Sequence, residues 1–311
     1  MNRMSSSKLL AQLNDELINL LEMSVPRTCT IFPMDMNIRT GGHGSGWFYS
    51  SELVVTNHHV VEGASGEVIV RRAGNGAELR AKVLGSDSFA DLAVLRVSKV
   101  DTEPFSIRDE PARVGEICIA IGTPMRVELQ NSASFGIVGG VGRQVVMQNG
   151  RHEEIIQTDA IINGGNSGGP LIDISGQVIG VNFASSNSRS GVTGISMAIP
   201  TEIVRDVVPE IIEYGGIERA SIGVSITARR QIKDHGFETA IQITKTASED
   251  SPLALGDIIS AVNGTPIRRR YDLIRFLNRS MIGTTVELEV LRAGNSMKIM
   301  VPAVSREIST K

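Results

Sequence analysis

The stretch Ile161-Ile162-Asn163-Gly164-Gly165-Asn166-Ser167-Gly168-Gly169-Pro170 sets one serine among four glycines. Glycine frees the backbone for tight or left-handed turns that a side chain would forbid. A serine on such a turn presents its hydroxyl while neighbouring N–H groups converge on one point. Acyl transfer needs that arrangement: a nucleophile, plus preorganised donors for the oxyanion of the tetrahedral intermediate. Taken alone, the stretch reads equally well as a glycine-rich turn between strands. A serine hydroxyl also needs a base, and the usual one is a histidine oriented by a buried carboxylate. The chain has five histidines, and two of them, His58 and His59, sit inside Leu53-Val54-Val55-Thr56-Asn57-His58-His59-Val60-Val61, after an apolar β-branched run. Further on, Asp91 stands at the mouth of a second strand-like run, Leu92 to Val97. The order His, Asp, Ser is one of those used by catalytic triads.

The three segments together resemble the HtrA (high-temperature-requirement A) serine proteases. TNHHVVEGA is similar to that family's histidine motif, SDSFADLAVLRV to its aspartate motif and GGNSGGPLID to its serine motif. The resemblance implies that His59 is the general base, Asp91 its orienting partner and Ser167 the nucleophile. It places the oxyanion hole at Gly165, Asn166 and Ser167, with the amides of Gly165 and Ser167 as donors. The family commonly has asparagine where this chain has His58, so His58 receives no catalytic role. Asp87 and Asp101 read as turn or capping residues.

In trypsin-like folds the residues six and five before the nucleophile, here Ile161 and Ile162, help line the primary specificity pocket. The same match adds Ser185. None of the three is charged, and a pocket without a carboxylate cannot offset the desolvation of a substrate lysine or arginine. Cleavage after small or medium aliphatic residues is expected. Trypsin-like zymogens carry an aspartate immediately before the nucleophile, which pairs with a newly cut N-terminal amine. Asn166 is neutral, so activation is expected without N-terminal cleavage.

The elements that must position these residues follow from the pattern of the chain. From about Arg27 to Arg205 short β-branched runs alternate with glycine-rich turns, which suggests an all-β sandwich or barrel. The resemblance sharpens this to a chymotrypsin-like pair of six-stranded barrels, the first carrying His59 and Asp91, the second Ser167. Gly44-Ser45-Gly46 matches the family's glycine-serine-glycine opening of the strand before the histidine motif, and His43 beside it reads as a loop residue. Residues 24–206 are thus expected to form the protease domain.

Before it, residues 1–23 form an N-terminal segment. Leu9, Leu10, Leu13, Leu17, Leu20 and Leu21 recur at helical spacing over 7–23, and this stripe is expected to pack on the protease domain or a sister subunit. Asn14, Asp15 and Glu16 interrupt it, and no small-residue cleavage site follows. As the sequence stands, a cytoplasmic location is expected; where a targeting segment has been removed, the periplasm or cell envelope. After the barrels, Thr201 to Tyr214 carries Ile203, Val204, Val207, Val208, Ile211 and Ile212 on one helical face. Pro209 should kink or restart this helix and Gly215-Gly216 end it. Residues 207–216 are read as the linker.

Residues 217–304 resemble a PDZ domain of α+β class, followed by a tail at 305–311. Ser221-Ile222-Gly223-Val224 looks like the carboxylate-binding loop, and Gly256 to Gly264 carries the family's strand-and-turn signature. Tyr271 to Arg279 supplies the groove helix. The resemblance implies that Ile222, Gly223 and Val224 hold a peptide's terminal carboxylate. Ile226, Tyr271, Ile274 and Arg275 would then set side-chain selectivity. The stretch between Thr246 and Gly256 is shorter than usual and leaves little room for the small helix found there. The run Arg268-Arg269-Arg270 reads as a solvated face that could also contact acidic ligands.

Length and composition bound the rest. At 311 residues with 41% hydrophobic residues, the chain can bury a sizeable core. A net charge of −3 gives no electrostatic case for nucleic acid or an anionic membrane. No apolar run reaches the roughly 18 residues of a membrane span. Cys29 and Cys118 lie far apart without metal-ligand spacing and read as buried small hydrophobes. The family implies cleavage of misfolded or partly unfolded proteins, no metal or nucleotide cofactor, peptide C-termini bound at the PDZ domain, and a homotrimer. Two other functions share these residues: a protease-derived holdase or scaffold whose triad never assembles, and a PDZ adaptor whose barrels only hold it in place.

Overall fold

The computed structural model describes residues 3–34, 42–147, 150–183, 194–233, 236–246, 248, 250–277 and 281–305. The chain divides into two compact units, Met1–Gly216 and Ile217–Lys311.

The first unit is built on two closed antiparallel barrels of six strands each. The first barrel comprises β1 (Thr28–Pro33), β2 (Gly44–Phe48), β3 (Leu53–Thr56), β4 (Glu67–Arg72), β5 (Glu78–Asp87) and β6 (Leu92–Arg96). It closes in the order β1-β2-β3-β6-β5-β4. Its interior is filled by β-branched and other apolar side chains, among them Ile31, Phe48, Val54, Val68, Val70 and Leu95. Full burial of each is worth about 1.5–3 kcal/mol. The second barrel comprises β7 (Ile117–Gly122), β8 (Ser132–Met147), β9 (Gly150–Thr158), β10 (Pro170–Asp173), β11 (Val178–Phe183) and β12 (Ser196–Pro200), in the order β10-β11-β12-β9-β8-β7. Cys118, Val138, Ile156, Leu171 and Ile179 fill it. Cys29 and Cys118 are both free and buried, one in each barrel, and burial pushes both thiols above their ordinary range.

Among the described residues, three α-helices complete this unit. The first, α1 (Arg3–Ser24), starts four residues before the leucine pattern does. Leu9, Leu10 and Leu13 on it are exposed, whereas Leu17, Leu20 and Leu21 are half-buried. The single turn α2 (His58–Val61) is pinned by Val60 and Val61, both buried. Helix α3 (Thr201–Tyr214) runs through Pro209 without restarting. The pyrrolidine faces solvent, while Ile203, Val204, Val207, Val208 and Ile211 are buried against β5 and β6 of one barrel and β11 and β12 of the other. That apolar face outweighs the lost backbone bond. Gly215 in the left-handed region (φ 75°) caps the helix. The helix read as a linker from 207 is therefore one element with Thr201–Asp206 and lies within the first unit. Among the described residues no helix is long and apolar enough to cross a membrane.

The second unit is α+β. Strands β13 (Ala220–Ser221), β14 (Val224–Lys233), β15 (Gly236–Thr246), β16 (Ile258–Val262) and β17 (Thr265–Pro266) precede helix α4 (Arg270–Phe276). After it come β18 (Thr285–Arg292), β19 (Asn295–Pro302) and β20 (Val304–Ser305). The sheet order is β14-β15-β16-β18-β19, with β17 paired to β16 and β13 to β20. Ile241, Ile243, Val262, Leu273, Val286 and Leu288 form its core. Asp257, 1% exposed, receives two bonds from the Arg292 guanidinium (2.7 Å each), which holds its carboxyl below the usual range. Among the described residues between Thr246 and Gly256 there is no helix.

Candidate active site

The aspartate segment owes its local shape to its own sequence. Asp91 adopts a left-handed conformation (φ 53°), which short polar side chains tolerate better than most. This turns its fully buried carboxylate towards α2. The amide of His59 donates to Asp91 Oδ1 (2.9 Å), and His59 Nδ1 lies 2.7 Å from Oδ2. A carboxylate can only accept, so Nδ1 carries the hydrogen, and in the neutral ring Nε2 keeps its lone pair. Asn57 Nδ2 donates to the Asp91 carbonyl (2.8 Å), tying the aspartate turn to the residue before α2. The His59 ring meets Phe183 of the second barrel edge-on, with centroids 6.2 Å apart. His58 faces elsewhere: its Nδ1 lies 2.8 Å from Ser86 Oγ. Asp87 receives the Phe89 amide in a local turn, and Asp101 pairs with Arg72.

The serine turn is held from three sides. Gly165 (φ 94°) and Gly168 (φ 86°) both take conformations that disfavour side chains. A Cβ at 168 would collide with the Ser45 carbonyl and Thr56 Oγ1, and would lie 3.0 Å from the Asn57 amide nitrogen. The turn carrying Ser167 is thus pressed against the segment that leads into His59. A Cβ at 165 would strike the Thr123 carbonyl and reach within 2.8 Å of His43 Nε2.

Ser45, fully buried on β2, joins these pieces. Its amide donates to the Ser167 carbonyl (2.8 Å) and its hydroxyl donates to the Gly165 carbonyl (2.7 Å). The same hydroxyl accepts the Thr123 amide (2.9 Å), and the Ser45 carbonyl accepts Thr56 Oγ1 (2.7 Å). The Gly164 carbonyl accepts the Met125 amide (2.6 Å). In a trans peptide the N–H points opposite to the carbonyl, so the Gly165 N–H is directed away from Met125. Asn166, grouped with Gly165 and Ser167 for the oxyanion hole, commits its amide to the Asn163 carbonyl (3.0 Å). Its side chain is buried, and it supplies no carboxylate to which an N-terminal amine could pair. On the far side, the Asn182 amide group donates to the carbonyls of Ile121 and Pro170 (3.1 Å each).

Ser45, Asn57, Thr123, Met125 and Asn182 had no role in the sequence reading. The one available signal was a serine between two glycines at the start of an apolar strand. His43, read as a loop residue, lies just before β2; its Nε2 is 2.9 Å from the Thr123 carbonyl, so that nitrogen carries the hydrogen. Of the residues read as a specificity pocket, Ile161 is 60% exposed and Ile162 belongs to the core of the second barrel. Ser185 lies outside the described residues.

In the second unit a groove of about 200 Å³ lies between β14 and α4. Ile222, Val224, Ile226 and Ile274 line it. Gly223, in the left-handed region (φ 70°), turns the chain between Ile222 and Val224. From the helix the lining residues are Arg270, Leu273, Ile274 and Leu277, where Tyr271 and Arg275 were expected.

Comparison with known proteins matches residues 44–181 to the trypsin-like peptidase domain family and residues 220–302 to the PDZ domain family. The chain is 36% identical over 294 residues to the serine protease Do-like HtrA of Bacillus subtilis, covering 86% of this chain and 65% of the relative. It is 34% identical over 272 residues to a probable periplasmic serine endoprotease, DegP-like, of Rhizobium meliloti, covering 83% of this chain and 52% of the relative. The chain therefore spans about half to two thirds of the length of these curated relatives. Among solved structures, the HtrA-type protease AlgW with tripeptide superposes with a TM-score of 0.78 at 29% identity, over 93% of this chain and 97% of that one.

Proposed function

We propose that the chain is an HtrA-type serine endopeptidase in which His59, Asp91 and Ser167 form the triad. The observation that carries this reading is the double engagement of Asp91 by His59. With its amide and Nδ1–H both on the carboxylate, the ring is fixed with Nε2 as a free base. Ser167 Oγ attacks the substrate carbonyl carbon as its proton passes to Nε2. Asp91 stabilises the imidazolium that results. The negative charge that forms on the carbonyl oxygen is received by the amides of Gly165 and Ser167. His59 then returns the proton to the leaving amine as the C–N bond breaks, and water resolves the acyl-enzyme by the same steps in reverse order.

The substrates proposed are misfolded or partly unfolded proteins, cut after small or medium aliphatic residues without a metal or nucleotide. The groove beside β14 takes peptide C-termini, and the exposed leucines of α1 pack in a homotrimer. Labelling by a fluorophosphonate probe tests the central assignment. Wild-type protein is expected to label and to cleave casein, and Ser167→Ala to do neither while melting at the same temperature. Casein cleavage by Ser167→Ala at near the wild-type rate would remove Ser167 from the mechanism, and an unlabelled wild type would point to a holdase or adaptor.

A further inference from the structure

We propose that His43 is a positioning residue for the turn of Ser167: by holding the Thr123 carbonyl against Gly165, it keeps the Gly165 N–H aimed at the reacting carbonyl. The role rests on the reading of Gly165 as an oxyanion donor. His43 belongs to none of the three catalytic motifs and stands, half-buried, immediately before β2. The two residues after it touch both halves of the site. A Cβ at Gly44 would collide with the Val60 methyls, so the strand is pressed on α2, which carries His59. Ser45 bonds to the backbone of Gly165 and of Ser167.

Thr123 is the joint between these pieces. It is 2% exposed, and each of its polar groups meets a residue of the first barrel or of the segment leading into β2. Its amide donates to Ser45 Oγ (2.9 Å), and its hydroxyl shares a hydrogen bond with Thr30 Oγ1 on β1 (2.6 Å). Its carbonyl accepts the His43 Nε2–H (2.9 Å). That carbonyl matters most for the turn, because a Cβ at Gly165 would collide with its oxygen and lie 2.8 Å from His43 Nε2. The Gly165 Cα therefore rests on the pair. Two residues after Thr123, the Met125 amide donates to the Gly164 carbonyl (2.6 Å) and so orients the Gly164–Gly165 peptide. Met125 does this from the left-handed region (φ 58°) while 70% exposed. A side chain keeps such a backbone only where its surroundings enforce it. Pro124, just before it, has no N–H with which to tie the segment down. The anchor is therefore upstream, at Thr123.

The His43 ring is held in its turn. It lies against Phe32, with centroids 6.1 Å apart and 39° between the planes. Phe32 is buried on β1, and the Arg71 guanidinium lies over its ring, 4.8 Å from the centroid. Nε2 faces a carbonyl, which can only accept, so it carries its hydrogen whether the ring is neutral or protonated. The role calls for a donor at that point, not for a charge.

Wild type is compared with two variants that lack the donor, His43→Leu and His43→Ala, and one that keeps it, His43→Gln, whose amide reaches the place of Nε2. Each is assayed on a short chromogenic peptide well below its melting point. Both non-donors are expected to lose about tenfold in kcat, the rate equivalent of one hydrogen bond, with KM moved by about twofold at most. A peptide boronate, whose tetrahedral adduct mimics the transition state, should bind them about tenfold more weakly. His43→Gln should recover most of both losses. A purely structural role would lower the melting temperature and leave kcat and boronate affinity unchanged, which would overturn the proposal. A His43→Gln protein as impaired as His43→Leu, or a loss confined to KM, would overturn it as well. A wild type that neither labels with a fluorophosphonate nor cleaves the peptide would instead overturn the protease reading on which it rests.

Discussion

Replacing Ser45 by alanine removes one hydroxyl that touches no substrate, yet it should damage both stability and rate. The hydroxyl donates to the Gly165 carbonyl and accepts the Thr123 amide, and the site is fully buried. Water cannot easily replace it, so the Thr123 amide and the Gly165 carbonyl both lose a partner. Each such loss costs about 1–3 kcal/mol, and the pair about 2–4 kcal/mol once some relaxation is allowed. For a unit of this size, melting should fall by roughly 5–15 °C, at about 2–4 °C per kcal/mol. The rate effect has a separate origin. Gly165 carries one of the two proposed oxyanion donors, and removing such a donor outright costs about 10²–10³ in kcat. Ser45→Ala loosens the turn without deleting the donor, so kcat on a chromogenic peptide should fall about 10–100-fold, with KM changed little. Both quantities are measured well below the lowest melting point, with Ser167→Ala as the control that loses activity without losing stability. A Ser45→Ala protein that melts within about 2 °C of wild type and turns over within twofold of it would refute the argument.

Glu116 is partly desolvated, which opposes ionisation, yet bonds from Arg113 and Arg108 hold its carboxyl down at about 2, against an ordinary 4.5. A carboxylate depressed in the folded state contributes stability above its ordinary value and loses that contribution as pH falls through the folded one. Between pH 4.5 and 2, wild type should therefore lose stability more steeply than Glu116→Gln, measured by urea midpoints; parallel curves would contradict this. Sequencing of casein fragments should show mainly valine, alanine or leucine before the cut, and a majority of lysine or arginine there would refute the uncharged-pocket reading. Because Asn166 offers no carboxylate to an N-terminal amine, intact-mass analysis of active protein should show an uncut chain; activity confined to a species cut before β1 would overturn that expectation.

How far the sequence could be read depended on whether a role belongs to a residue type or to a long-range pairing. Few side chains can serve as base, orienter or nucleophile, so residue type narrowed the candidates, but it was the resemblance of three motifs that singled out His59, Asp91 and Ser167. The same runs made an all-β sandwich or barrel legible, and the resemblance sharpened this to two six-stranded barrels. Ser45 was not, since serine has many uses and its meaning lies in partners 120 and 78 residues away. Pro209 shows the opposite limit. The local rule against proline inside a helix is sound, but five buried apolar residues on α3 outweigh it. On α4, taking Tyr271 as the start of the groove face instead of Arg270 rotates the face by one residue, about 100°. The side that lines the groove is 270, 273, 274 and 277, the spacing that a helix turns to one neighbour.

The bonds around the serine turn also explain why the fold needs two barrels for one site. Ser45 and Thr56 lie on β2 and β3 of the first barrel, whereas Gly165, Ser167 and Gly168 belong to the second. The Ser45 amide and hydroxyl both reach across to the turn, and the backbone at Gly168 fills the space against Thr56 and Asn57. Asn57 in turn holds the Asp91 backbone. A displacement at the barrel interface should therefore shift both the turn of Ser167, the proposed nucleophile, and Asp91, the proposed partner of His59. Neither barrel alone contains both halves, so the proposed chemistry is a property of their packing, and residues such as Ser45 matter to it without approaching a substrate.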